Sequence, residues 1–237
     1  PFFLYYASPL PHVPLQAPRH WVEHYRKIIG DEEPFVGKSY FPNQYPKATY
    51  AAMISYLDEQ VGDIVKKLKE IGVYENTLII FTSDNGPTFN GGTDTPYFDS
   101  AKPFKTEYGW AKCFVNEGGI RVPMIAHWPK KIKKEQRSNL ISAFQDMMPT
   151  FCDIARIEPP KNINGISLLP TLMGNKQNEM HEYLYWEFPA YNGQQAVRMN
   201  NWKAIRKNIF DGNMQIELYD LKSCLLYTSD AADESRG

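Results

Sequence analysis

The chain contains no apolar run long enough to cross a bilayer. Its longest apolar opening, Phe2-Phe3-Leu4-Tyr5-Tyr6-Ala7, falls far short of the roughly 20 residues that a spanning helix needs. That opening also lacks the basic flank and cleavage pattern of a signal peptide. An excess of one charge is missing too: 26 basic and 27 acidic side chains leave a net charge of -1. No overall field therefore favours nucleic acid or an anionic membrane, neither is expected as a partner, and any recognition of an anion has to be local. Cysteine is scarce, and the wide, irregular spacing of Cys113, Cys152 and Cys224 gives neither a disulfide framework nor a zinc-ligand pattern. What is present is a 237-residue chain with 43% hydrophobic residues, ordinary for a globular core.

Periodicity divides the chain. Tyr50, Met53, Ile54, Leu57, Val61, Ile64, Val65, Leu68 and Ile71 recur at steps of three and four, the mark of a helix with one apolar stripe. Gly72 ends that stripe, and a buried strand is expected over 77–82. A second buried strand is expected over 123–128, closed by Pro129, and a helix over 140–157. The opening at residues 2–7 also reads as a buried strand, entered at once from Pro1, and suggests that sequence precedes it. Such alternation argues an α/β domain with a mostly parallel sheet flanked by helices. After Pro159-Pro160, short β-rich runs at 183–188, 195–198, 202–206 and 216–221 read as an antiparallel meander. The expected organisation is therefore an α/β part over 1–158 and a small antiparallel β subdomain over 159–223. Residues 224–237 break the pattern and resemble the translated read-through of a sequencing-library adaptor, so they are set aside.

Three segments carry chemistry. Thr82-Ser83-Asp84-Asn85-Gly86-Pro87 places two oxygen-ligand side chains at the carboxyl end of a strand, where open α/β sheets bind ligands. Oxygen donors of this kind suit Ca²⁺ or Mg²⁺, although an Asp-Asn-Gly at a strand end also makes an ordinary turn. Ser8-Pro9-Leu10-Pro11-His12-Val13-Pro14 sets one histidine in a proline-rich loop, where it can bind an anion, supply a proton or simply sit on the surface. Lys112 precedes Glu117-Gly118-Gly119-Ile120-Arg121-Val122-Pro123, in which Glu117 and Arg121 read best as a structural ion pair. Between residues 86 and 118 no period is visible, and long irregular loops of this kind are usually functional.

In this order and spacing, the three segments together with the opening run resemble the C-terminal half of a formylglycine-dependent (type I) sulfatase, within the alkaline-phosphatase-like superfamily. The resemblance implies an alkaline-phosphatase-like fold, truncated at the N-terminus, and a Ca²⁺ site to which Asp84 and Asn85 contribute. It implies that His12 and Lys112 touch the sulfate group or the bridging oxygen of the ester. The expected substrate is a sulfated carbohydrate or an aryl sulfate, and the expected location is periplasmic or secreted. The nucleophile, a formylglycine made from the cysteine of a Cys-x-Pro/Ala-x-Arg signature, is not in this chain. Cys152-Asp153-Ile154-Ala155-Arg156 imitates the spacing but has Ile154 at its third position, and Cys152 reads as a core thiol. The polypeptide alone is thus expected to be inactive. Trp186, Glu187, Tyr191, Gln194, Gln195 and Arg198 in the meander are candidates for sugar contact, with routine sheet packing as the alternative. Two other readings stay open: a phosphodiesterase or phosphonate monoester hydrolase of the same superfamily, and an inactive glycan- or metal-binding fragment.

Overall fold

The structure of the chain, a computed structural model, describes residues 1–223; the tail from Cys224 lies outside the described residues. The chain forms two compact units that interleave along the sequence. The first comprises Pro1–Tyr74, Asn85–Lys112 and Glu117–Arg121; the second comprises Glu75–Asp84, Cys113–Asn116 and everything from Val122 onward.

In the first unit α1 (Arg19–Ile29) packs on α2 (Pro46–Glu70). α2 starts at Pro46, whose missing N–H suits a first-turn position, and the Glu32 carboxylate accepts the main-chain N–H groups of Lys47 (2.6 Å) and Ala48 (3.1 Å). An anion on those first-turn N–H groups also favours the helix dipole. The buried face of α2 carries Ala48, Tyr50, Ala51, Ala52 and Met53, and Gly72 at φ 74° turns the chain away after the helix, where the sequence puts the stop. Tyr50 and Met53 form a core with Val13 and Leu15, against which Tyr40 and Phe98 pack. Burial raises the Tyr50 phenol above its usual pKa, and a hydrogen bond with Ser100 opposes the shift. The contact of α1 with α2 is largely polar at its rim: the Trp21 indole donates to Glu59 (2.6 Å), and Tyr25 bonds Ser55 (2.7 Å).

The second unit holds β1 (Ile79–Thr82) and β2 (Met124–His127), paired antiparallel with Ile79 opposite His127 and Thr82 opposite Met124. The mostly parallel sheet read from the sequence does not occur among the described residues, where every pairing is antiparallel. The reason is local: the chain leaves β1 at Thr82 and re-enters β2 at Met124, its register partner, so the two strands run in opposite directions. The opening run also departs from expectation. Residues 1–9 form no strand, and Phe2, Phe3, Leu4, Tyr5 and Tyr6 are exposed. Apolar residues become a strand only when a neighbour takes up their backbone groups, and no strand pairing among the described residues includes them.

The helix expected over 140–157 is shorter, α3 (Met147–Ala155), preceded by a single 3-10 turn at Phe144–Asp146. Asp146 sets the start. Its carboxylate accepts the N–H of Ala143 (2.8 Å), which holds Ala143 extended, and the N–H of Ile166 (2.9 Å). Nε2 of His181 donates to the same carboxylate at 2.8 Å. Asp146 is wholly buried, so this node ties three distant stretches of chain together. Asp146→Asn, which keeps the shape but removes the charge and one acceptor, is expected to lower unfolding stability by about 1–3 kcal/mol. Urea titration of the purified chain followed by tryptophan fluorescence measures this; an unchanged midpoint would show that the node adds nothing. Cys152 is buried on α3, as the apolar periodicity requires.

The meander forms as expected: β3 (Leu184–Phe188), β4 (Gln194–Met199), β5 (Trp202–Lys207) and β6 (Glu217–Asp220) pair in sequence order, all antiparallel. Leu184, Ala196, Ile205 and Tyr219 are buried in it, and so is Lys203, whose Nζ lies 5.7 Å from the centroid of the Trp186 ring. Among the described residues no helix is long and apolar enough to cross a membrane.

Candidate active site

His12 stands on a short loop that the core fixes from below. Its neighbours Val13 and Leu15 are buried, and Val13 presses against Gly91, where a Cβ would lie 2.5 Å from the valine Cγ1. Gly91 also has φ 73°, so two constraints demand glycine there. The imidazole itself is exposed, with Nδ1 2.6 Å from the carbonyl oxygen of Val13. A carbonyl can only accept, so Nδ1 carries the proton and Nε2 is left to exchange one.

Asn85, Lys112 and the Glu117–Ile120 turn are laced together by main chain. The Gly86 N–H donates to the Gly119 carbonyl (2.8 Å), and the Lys112 N–H donates to the Pro87 carbonyl (3.0 Å). The packing is close enough to exclude side chains: a Cβ on Gly86 would meet the Gly118 oxygen at 1.8 Å, and one on Gly118 would meet the Lys105 oxygen at 2.2 Å. Glu117 is buried and pairs with Arg121 at 3.3 Å, the structural ion pair that the sequence suggests. Asn85 and Lys112 are thereby held at the neck of one loop, in the unit that also contains His12.

Asp84 is exposed at the end of β1, immediately before Asn85. A carboxylate beside an amide oxygen is a donor set for a hard cation and a poor one for zinc or copper. Two side chains are fewer than the six to eight oxygens that Ca²⁺ takes. Among the described residues no group of three or more His, Cys, Asp or Glu side chains stands ready to hold a metal. Asp84 and Asn85 thus fit part of a Ca²⁺ site.

A family model described as Sulfatase matches residues 1–157 of this chain. The chain belongs to the sulfatase family. A second model, that of the C-terminal part of N-sulphoglucosamine sulphohydrolase, matches residues 106–225 of the sulfatase chain. It is 32% identical to an N-acetylglucosamine-6-O-sulfatase of Bacteroides thetaiotaomicron over 73% of its own length and 30% of that protein. Among solved structures it resembles Ps i-CgsB in complex with k-i-k-neocarrahexaose, with a TM-score of 0.74 and 28% identity over 96% of this chain and 45% of that one. The phosphonate monoester hydrolase of Agrobacterium radiobacter shares the fold, with a TM-score of 0.60 at 22% identity over 79% of this chain and 37% of that one. These neighbours are consistent with an alkaline-phosphatase-like fold. The sulfatase chain spans about a third of the length of the curated relatives it matches.

The meander residues named for sugar contact do not share one surface. Pairing of Trp186 with Ala196 and of Glu187 with Gln195 puts Trp186, Gln194 and Arg198 on one face of the sheet, Glu187 and Gln195 on the other. On the second face Glu187 accepts the Tyr185 hydroxyl (2.8 Å) and the Gln195 amide (3.5 Å). The Tyr185 phenol is raised above its usual pKa, first by burial and then by that Glu187 hydrogen bond and charge. Arg198 donates from Nε to the Asn200 carbonyl (3.2 Å). Gln194, 2% exposed, is the clearest departure: its amide donates to the Cys113 carbonyl (3.1 Å) and accepts the Val115 N–H (3.4 Å). Tyr191 stacks on Phe114 with ring centroids 5.0 Å apart. Both residues hold the stretch that follows Lys112 in sequence, a positioning part that the sequence reading missed. Val13 and Gly91 were missed as well, and the alternation Val13-Pro14-Leu15 between prolines is the signal that could have found the buried anchor under His12.

Proposed function

We propose that this chain is the C-terminal part of a sulfatase that hydrolyses sulfate monoesters on carbohydrate, in the periplasm or outside the cell. The observation that carries the reading is the laced neck, which fixes Asn85 and Lys112 on one glycine-packed scaffold inside the region matched by the sulfatase model. The named substrate of the N-acetylglucosamine-6-O-sulfatase and the oligosaccharide bound to Ps i-CgsB support a sulfated saccharide as substrate. An aryl sulfate is the natural small surrogate.

A formylglycine, the nucleophile that the resemblance implies, would lie in sequence outside these residues and would supply the attack on sulfur. Asp84 and Asn85 would hold Ca²⁺, which neutralises charge on the sulfate oxygens when bound. The chain's own residues do the rest. As the S–O bond to the sugar breaks, its electron pair passes to the sugar oxygen, and a proton on Nε2 of His12 is delivered there. The bond from Nδ1 to the Val13 carbonyl keeps the ring oriented before and after that transfer. The Lys112 ammonium balances negative charge that builds up on the ester as it cleaves.

The reading is tested on the full-length enzyme with a sulfated saccharide. Chelation with EDTA is expected to lower turnover at least about 10-fold, with recovery on adding Ca²⁺ and weaker recovery with Mg²⁺. Full turnover in the chelator would remove the metal from the reading. Faster hydrolysis of a phosphonate monoester or phosphodiester than of any sulfate ester would replace the substrate class. Purified residues 1–237 are expected to hydrolyse no aryl sulfate, and detectable turnover would place the nucleophile within them.

A further inference from the structure

The neck that holds Lys112 continues into an aromatic surface. Beyond the bonds of Gly86 to Gly119 and of Pro87 to Lys112, the next cross-contact is between rings: Tyr108 meets Phe89 edge-on, with centroids 5.2 Å apart and planes at 85°. Phe89 is half-buried, whereas Tyr108 is 63% exposed. Gly109 follows at φ 94°, and a Cβ placed on it would find no heavy atom within 4 Å, so the surface beside the tyrosine is open. Trp110 comes next, with the Nζ of Lys105 4.5 Å from its ring centroid. Over eight residues the loop therefore presents cation, aromatic, aromatic and cation, ending at Lys112.

A large exposed ring held in place by an edge contact is preorganised for stacking, because its rotamer freedom is already restricted before a ligand arrives. The apolar face of a pyranose is the natural partner of such a ring, and the flanking lysines complement anionic substituents on the same sugar. We propose that Tyr108, steadied by Phe89, is a specificity-determining residue on which the saccharide bearing the sulfate ester stacks, with Lys105 favouring sugars that carry further negative charge. This rests on the sulfatase reading above and moves the sugar platform from the meander to the loop between Asn85 and Lys112.

The test compares Tyr108→Ala and Tyr108→Phe in the full-length enzyme with a sulfated disaccharide. For Tyr108→Ala, KM is expected to rise about 10-fold while kcat changes less than about 3-fold; Tyr108→Phe, which keeps the ring, stays near wild type. An unchanged KM in Tyr108→Ala, or an equal loss in both variants, overturns the proposal. Calorimetric titration of the same disaccharide gives a readout independent of turnover. Weaker binding by Tyr108→Ala alone supports stacking even if no sulfate ester is hydrolysed, a result that would sink the sulfatase reading separately. Equal binding by wild type and Tyr108→Ala overturns the stacking role whatever the enzyme hydrolyses.

Discussion

Alanine at position 112 or position 12 is expected to lower sulfate-ester turnover of the full-length enzyme by about 10²- to 10⁴-fold. A cation about 4 Å from one unit of developing charge gains on the order of 4 kcal/mol at an effective dielectric near 20, and loss of a placed proton donor has similar weight. Neither residue can account for catalysis alone, since enzymes lower barriers by roughly 8–23 kcal/mol in total. The structure makes the experiment clean. Lys112 is tied to Pro87 through its main-chain N–H, and His12 is exposed above a buried Val13, so truncating either side chain leaves the scaffold intact. Thermal midpoints close to wild type are therefore expected alongside the loss of rate. Turnover near wild type in both variants would reject the assignment.

The largest structural effect is expected from a single methyl group. Gly86→Ala would drive its Cβ to 1.8 Å from the Gly118 oxygen and 2.8 Å from the Gly118 carbonyl carbon, both main-chain atoms of a buried turn. No rotamer relieves such an overlap, so the neck has to part and the bond from Gly86 to Gly119 is lost. A destabilisation of about 3 kcal/mol or more is expected, with a fall in midpoint of roughly 6–12 °C by differential scanning fluorimetry. Faster proteolysis within residues 88–108 should accompany it. Gly62→Ala is the matched control: it lies in α2 with nothing within 4 Å of a Cβ, and there alanine should stabilise by up to about 1 kcal/mol. Equal midpoints for the two variants would show that the close approach at Gly86 is not a constraint.

Much of this architecture was legible because the signals are local. The stripe from Tyr50 to Ile71 announces α2, Gly72 announces its end, and the four short runs after Pro160 announce the meander. Helix α1 was missed although Trp21, Val22, Tyr25, Ile28 and Ile29 recur at helical spacing; its contacts through Trp21 and Tyr25 are polar and bury no residue of the helix. Strand direction was not legible either, since a run such as Ile79–Thr82 reads the same whether its neighbour runs with it or against it. The opening run marks the same limit from the other side: five apolar side chains in succession specify what could be buried, and only a partner strand decides whether it is. In the candidate site, the chemistry-bearing residues could be named from motifs, but not what holds them. Gln194 reads as a candidate for sugar contact or routine sheet packing, and only a contact 81 residues distant reveals it as a buried tie. Asp146 and His181 are hidden in the same way, 35 residues apart.

That tie bears on how such enzymes can be recombined. A meander hairpin exchanged between relatives would bring its own residue to position 194, and with it the geometry of the Cys113–Asn116 stretch next in line after Lys112. Chimeras that keep a carboxamide there should keep the Cys113–Asn116 stretch in place, and those that replace it with a hydrophobic side chain should melt earlier, with the fault felt 81 residues away from the swap.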